Sequence, residues 1–251
     1  MIMNESDLDY ALVIPSRKRV GNMARINELF PWSIIYIAES EYDDYAKVVP
    51  KERIMTHPDS DNFCYILNYL LDNRPEQSIA IFDDDIKYLQ SIVGRKGRRI
   101  EDPEMLRRVI ENGVAMLQDA EKTMFTYAIS PKPLDFQPGN PIKLGFALPA
   151  GAWIINGRKF RFDERLIVRD DLDFALQVLL EDRYAICDTR FCWVCGEYQN
   201  VEGGLQCVRT SEAEKHDKET LYKKWGREIL FLDKPQKNGA LGVKVFVSRR
   251  Q

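Results

Sequence analysis

Two acidic clusters carry the residue types and spacing that do chemistry. Asp83, Asp84 and Asp85 follow the apolar run Ile79-Ala80-Ile81-Phe82. Asp170, Asp171 and Asp173 open a stretch in which Leu172, Ala175, Leu176, Leu179 and Leu180 share one helical face. Adjacent carboxylates repel, and a structural role gives no reason to concentrate three of them where a strand opens to solvent. A divalent cation or polar ligand offsets that repulsion. A solvated acidic turn is the competing reading of the first cluster. Helix capping accounts for one member of the second but does not need three. In extended backbone Asp83 and Asp85 point the same way, so both can face one ligand while Asp84 points elsewhere. The clusters lie about ninety residues apart, each at an element terminus, which suits one to a metal-phosphate and the other to an acceptor.

Those acids need a scaffold. "YALVIPSR" reads as a strand stopped by Pro15, followed by the helical pattern "VGNMARINELF" before Pro31. "WSIIYIAE", "RIMTH" and "SIAIF" read as further strands, separated by a short helix at "EYDDYAKVVP" and a longer one at "DNFCYILNYLLDN". Such alternation predicts a mostly parallel sheet with right-handed crossovers, whose ligands bind beyond the carboxyl ends of the strands. "PSRKR" and "DDD" both lie on that edge. Downstream, the glycine and charge content of residues 94–99 predicts a mobile loop. A helix follows at "DPEMLRRVIENGVAMLQDAE", with Asp102 as N-cap and Pro103 in its first turn. "TMFTYAIS", "GAWIIN" and "RYAICDT" read as strands, and "KPLDFQPGNPIKLG" as a Pro/Gly-punctuated connection.

Composition narrows the setting. With 251 residues and 45% hydrophobic content the chain can bury the core of one large α/β domain. Thirty-six basic against 39 acidic residues, a net charge of −3, argue against a protein coated in positive charge for indiscriminate nucleic-acid binding. A local basic patch is still allowed, and Arg95, Lys96, Arg98 and Arg99 form one. No apolar run approaches the roughly 20 residues of a membrane span and the start lacks a signal-peptide layout, so a cytosolic protein is expected. Cys64, Cys187, Cys192, Cys195 and Cys207 are then expected to be reduced. Four of them are spaced C-x4-C-x2-C-x11-C. Buried free cysteines are the favoured reading, since "RFCWVCGEY" has the content of a strand, and a structural zinc is the alternative.

In order, "YALVIPSRKR", "IAIFDDD" and "FDERLIVRDDLDFALQVLLED" resemble the signature of GT-A glycosyltransferases: a first nucleotide-binding strand, an Asp-x-Asp metal motif and an acidic acceptor-side motif opening a helix. Within that group the blocks resemble the TET-associated glycosyltransferases of bacteriophages and the related base J glucosyltransferases, which glycosylate hydroxymethylated pyrimidines in DNA. The resemblance implies a Rossmann-like, mostly parallel sheet flanked by helices in a single domain. Its nucleotide-sugar half would be residues 1–86 and its acceptor half 87–251. It places Pro15, Ser16 and Arg17 beside the nucleotide base, although Arg17 and Lys18 read equally as solvated turn charges. Asp85 takes the direct metal contact and Asp83 a position nearer the ribose or sugar, with Asp84 completing the donor-binding triplet. All-oxygen ligation suits magnesium or manganese.

His216 falls where many GT-A enzymes supply a late metal-binding histidine, although a histidine among Glu214, Lys215, Asp217 and Lys218 is ordinarily a surface residue. Arg209, Lys215 and Lys218 would close over the diphosphate. Asp171 aligns with the catalytic aspartate, a general base on the acceptor hydroxyl, and Asp170 stands where glutamate is usual, which leaves the choice of base between the two. Trp153 reads as core, with sugar stacking as its alternative. The basic run Arg95 to Arg99 would contact DNA phosphates, and a base within a duplex would have to be flipped out. The expected reaction is metal-dependent transfer of a sugar, from UDP-glucose, to 5-hydroxymethylpyrimidines of phage DNA in the infected host's cytoplasm. Rival readings are a GT-A enzyme with a glycan or protein acceptor and a non-catalytic DNA-binding module. A haloacid-dehalogenase-type phosphatase is a third, but its nucleophile motif usually opens the first strand rather than following three.

Overall fold

Every residue of "SIAIF" is buried in the strand it forms, which places that strand between two layers of helix. The computed structural model describes residues 8–93, 96–128, 141–196, 208–227, 230–235 and 241–245. The first third of the chain alternates as its pattern predicts: β1 (Tyr10–Pro15), α1 (Met23–Leu29), β2 (Ile34–Ala38), α2 (Tyr42–Tyr45), β3 (Ile54–His57), α3 (Phe63–Asn73) and β4 (Ser78–Phe82). Then come β5 (Tyr88–Val93), β6 (Lys96–Ile100), α4 (Pro103–Asp119), β7 (Met124–Ala128), β8 (Ile142–Gly145) and β9 (Ala152–Asn156). The remainder is α5 (Asp170–Glu181), β10 (Ala185–Val194), α6 (Ser211–Trp225), β11 (Leu230–Pro235) and β12 (Leu241–Val245).

Ten strands form one mixed, mostly parallel sheet in the order β3-β2-β1-β4-β9-β7-β10-β5-β6, with β8 also paired to β10. β9, β5 and β8 run against the others. Alternate side chains serve opposite faces. Val13, Ile79, Ile81 and Ile155 pack with α3 and α5 on one side, and Leu12, Ile14, Ala80, Phe82 and Ile154 pack with α1 and α4 on the other. Each valine, leucine, isoleucine or phenylalanine among them, fully removed from water, contributes about 1.5–3 kcal/mol, so the double-sided core holds β1 and β4 rigidly in register. Gly113 of α4 lets that helix lie close to the sheet, because a Cβ there would stand 2.8 Å from the Tyr127 hydroxyl oxygen. Asn62, Asp102 and Thr210 cap α3, α4 and α6 through side-chain oxygens that accept from Tyr65, Met105 and Ala213 N–H. No helix among the described residues is long and apolar enough to cross a membrane.

Three sequence expectations change. Residues 96–100 are not loop but edge strand β6, paired with β5 from Leu89↔Ile100 to Val93↔Lys96. Backbone hydrogen bonds carry that ladder whatever the side chains are, and charge is suited to a sheet edge. "IKLG", read as connection, is β8. "RYAICDT" and "RFCWV" are one strand, β10, whose register against β7 shifts between Asp188 and Cys192. The β11–β12 hairpin had no counterpart in the sequence reading.

Candidate active site

Because β1 and β4 are parallel neighbours, their carboxyl ends open side by side, and antiparallel β9 brings its amino end to the same place. Around that point lies a cavity of about 650 Å³. Pro15, Ser16 and Arg17 enter it from β1, Asp83, Asp84 and Asp85 from β4, and Cys195 and Gly196 from β10. Asp170, Asp171 and Arg209 close the other side.

The triplet splits as strand geometry requires. Asp84 turns inward and is 5% exposed. Its Oδ2 accepts from Ser16 Oγ at 2.6 Å and its Oδ1 from Arg19 Nη1 at 2.9 Å. Since Ser16 spends its one proton on Asp84, the Tyr45 hydroxyl, 2.7 Å away, donates to Ser16 and accepts from Arg19 N–H at 3.1 Å. Burial raises the Asp84 carboxyl above its usual range, and Ser16 and Arg19 pull it back. Asp84 thus fastens the end of β4 to the loop after β1, with both of its oxygens engaged.

Asp83 and Asp85 face the cavity. Solvent reaches Asp83, but cavity walls surround it; that loss of water, then the charges of Asp85 and Asp84, push its carboxyl up to about 8. Asp85 Oδ1 is sealed from solvent with no hydrogen-bond partner. Ligand atoms of Asp83, Asp85 and Cys195 lie within 4.8 Å of one another, the spacing at which three groups can hold one metal ion. Burial, then the charges of Asp83 and Asp85 and a hydrogen bond from the thiol to the Asp85 carboxylate, raise the Cys195 thiol far above its ordinary value. Groups whose ionised forms repel one another, with an orphaned carboxylate oxygen among them, fit a divalent cation, which would offset that repulsion.

On the opposite wall, Asp170 and Asp171 begin α5, yet no side chain caps that helix, whose N-cap is Arg169. Asp171 Oδ1 accepts from Leu172 N–H at 2.7 Å. Burial raises both carboxyls. The charge of Asp171 adds to the rise of Asp170, while Arg169, the Leu172 N–H and Arg209 restrain that of Asp171. Asp173, the third acid, does not share this environment. Fully buried, it accepts from Gln177 at 2.8 Å, Lys224 at 2.9 Å and Trp225 Nε1 at 2.8 Å, and so docks α6 onto α5. Asp217 of α6, also fully buried, accepts the backbone N–H groups of Ile167, Val168 and Arg169 at 2.9, 2.7 and 3.0 Å. Glu214 pairs with Arg169 at 2.7 Å. One face of α6 therefore sets the backbone leading into Asp170.

The other sequence-predicted residues scatter. Arg17 lines the cavity and pairs with Asp61. Arg209 reaches Val168 O at 3.4 Å. Lys215 and His216 lie on α6, are exposed and do not line the cavity. His216 Nδ1 sits 3.0 Å from Asp217 Oδ1 rather than with Asp83 and Asp85. Lys218 Nζ lies over the Tyr222 ring. Arg98 and Arg99 are exposed on β6, with Arg99 over the Tyr88 ring and paired with Glu101, while Arg95 lies outside the described residues. Trp153 lines the cavity but packs against Phe162 and Phe174 as core. Cys64 and Cys192 are buried free thiols, Cys187 and Cys195 are half-buried, and Cys207 lies outside the described residues. Sequence reasoning missed Cys195 as a neighbour of the acids, and Asp217 and Glu214 as buried anchors. The one local signal was Cys-Gly immediately after an aromatic, β-branched run.

No family model and no curated protein matches the sequence. Among solved structures, the mannosyltransferase PcManGT from Pyrobaculum calidifontis, in complex with GDP-Man and Mn2+, is similar over 89% of this chain and 70% of its own, with 12% identity and a TM-score of 0.55. CMP:2-keto-3-deoxy-manno-octonic acid synthetase complexed with CTP aligns over 86% of this chain and 99% of its own, with 10% identity and a TM-score of 0.38. The fold of this chain is thus that of the GT-A-like, Rossmann-type enzymes, a single α/β domain around a mixed, mostly parallel sheet.

Proposed function

We propose that this chain is a metal-dependent glycosyltransferase that moves a sugar from a nucleotide-sugar donor to an acceptor hydroxyl. One observation carries the reading: two pairs of carboxylates, Asp83 with Asp85 and Asp170 with Asp171, face a single cavity large enough for a nucleotide sugar. Asp83 and Asp85 would hold a divalent ion, Mn2+ or Mg2+, which when bound offsets charge on the departing diphosphate. Pro15, Ser16 and Arg17 line the donor side of the cavity and Arg209 offers a cation to the diphosphate.

Asp171 takes the proton of the acceptor hydroxyl as its oxygen attacks the sugar carbon. Its raised pKa brings it nearer to neutral pH, where a carboxylate is a better base, and the Leu172 N–H orients it. Asp170 beside it keeps the pair from ionising together at low cost. Residues 1–86 form the donor half, with the acceptor half in 87–251. For the finer identity we propose UDP-glucose as donor and 5-hydroxymethylpyrimidines of phage DNA as acceptor. The resemblance of the three sequence blocks and the exposed Arg98 and Arg99 on β6 support it.

Transfer from UDP- and GDP-sugars to duplex DNA containing 5-hydroxymethylcytosine or 5-hydroxymethyluracil, with Mn2+, tests this, read by the mass of released nucleosides. The expected result is a hexose increment lost in Asp85→Ala and Asp171→Asn. Donor hydrolysis without transfer would reject the DNA acceptor in favour of a glycan or protein. No donor engagement at all would reject the enzyme.

A further inference from the structure

The sequence points to carboxylate oxygens of Asp83 and Asp85, joined by His216, but the third group beside the two acids is a sulfur. We propose, building on the metal-dependent reading above, that Cys195 Sγ is a protein ligand of the bound cation and turns the site away from Mg2+ toward thiophilic divalent ions.

Cys195 is held opposite the acids by backbone. Lys87 N–H donates to Val194 O at 2.8 Å and Gly196 N–H to Asp85 O at 2.9 Å, so the chain on either side of Cys195 is bonded to the acidic segment. The ligand atoms of the three residues fall within 4.8 Å, and groups about 2.0–2.4 Å from one shared ion cannot be much farther apart than that. Asp85 Oδ1 is sealed from solvent without a partner, a costly state unless a cation completes it. A Cβ on Gly196 would stand 3.1 Å from Asp85 Oδ2, so any larger residue there presses on the carboxylate. Cys195 packs on the edge of the core and its thiol donates to Trp193 O at 3.9 Å, yet its Sγ also lies within 4.8 Å of the Asp83 and Asp85 carboxylates. Hard Mg2+ keeps to oxygen ligands and near-ideal octahedral geometry, whereas Mn2+, Co2+, Zn2+ and Cd2+ accept sulfur with rising preference. On coordination the S–H proton leaves to solvent and the sulfur lone pair forms the bond to the ion.

Metal-free full-length protein and the Cys195→Ser and Cys195→Ala variants would be titrated with Co2+ by absorption, and with Cd2+ and Mg2+ by calorimetry. Donor binding in Mn2+ and melting curves would be recorded for each. The wild type is expected to show a sulfur-to-cobalt charge-transfer band that both variants lack. The ratio of Cd2+ to Mg2+ affinity should fall at least about tenfold on substitution. Co2+ bound without the band, a band that survives both substitutions, or an unchanged ratio in folded variants would overturn the inference. If Mn2+ still supports donor binding in that case, the glycosyltransferase reading stands and the sulfur ligand alone is rejected. If no divalent ion binds the wild type with or without donor, both are rejected.

Discussion

At the scale of single residues, the surroundings of neighbouring aspartates predict opposite effects on stability. Asp84 is inside a hydrogen-bonded network, and its removal takes away the buried carboxylate to which Ser16 and Arg19 both donate. Asp84→Ala is therefore expected to destabilise the protein by about 3 kcal/mol in urea unfolding. Asp83 is held among like charges, and its folded-state value near 8 lies above its ordinary 3.8. A carboxyl raised in the folded state favours folding at low pH and loses that advantage as pH rises through the folded value. Without metal, wild-type stability should thus decline between about pH 4 and pH 8 from this source. In chelator at pH 8.5 or so, Asp83→Asn should melt higher by roughly 2–4 °C, a gain of about 1 kcal/mol once solvent screening is allowed for. Adding Mn2+ should reverse the order, because the ion stabilises only the chain that binds it. A lower melting point for Asp83→Asn in chelator would contradict the account.

At the scale of elements, α6 positions the amino end of α5, where the proposed base stands. Asp217 gathers three backbone N–H groups and Asp173 receives Lys224 and Trp225 from the far end of the same helix. Asp217→Asn keeps the shape but weakens each accepted bond by removing the charge. The expected result is a transfer rate reduced about ten- to a hundredfold, with donor affinity within about twofold of wild type, since small displacements of a base cost rate rather than donor binding. Kinetics at saturating donor, with calorimetry for its binding, would check this. A change confined to the melting temperature would reduce Asp217 to a structural anchor.

For the whole molecule, a net charge of −3 leaves little general attraction to DNA, so any phosphate binding has to come from a local feature. The β5–β6 hairpin presents Arg98 and Arg99 at the sheet edge. If it meets DNA, Arg98→Ala with Arg99→Ala should weaken binding across all sequences. The slope of log affinity against log salt should become shallower by about 0.9 for each phosphate that the variant no longer neutralises. An unchanged slope would move the acceptor away from DNA.

The sequence by itself determined what depends on neighbours along the chain. Hydrophobic period marked β1 to β4 and α3 to α5, and Asp102 marked a helix start as its N-cap. Alternation in extended backbone separated Asp84 from Asp83 and Asp85 before any coordinates were needed. The tertiary structure decided whatever rests on sheet order. Cys195 meets Asp85 because backbone bonds between residues 85–87 and 194–196 join the two segments across more than a hundred positions, and no local pattern encodes that pairing. Likewise Asp217 and Asp173 lie in charged surroundings by sequence but are fully buried, because layer packing turned one face of α6 onto α5. β6 escaped a reading based on composition because an antiparallel ladder is held by backbone groups that every residue carries.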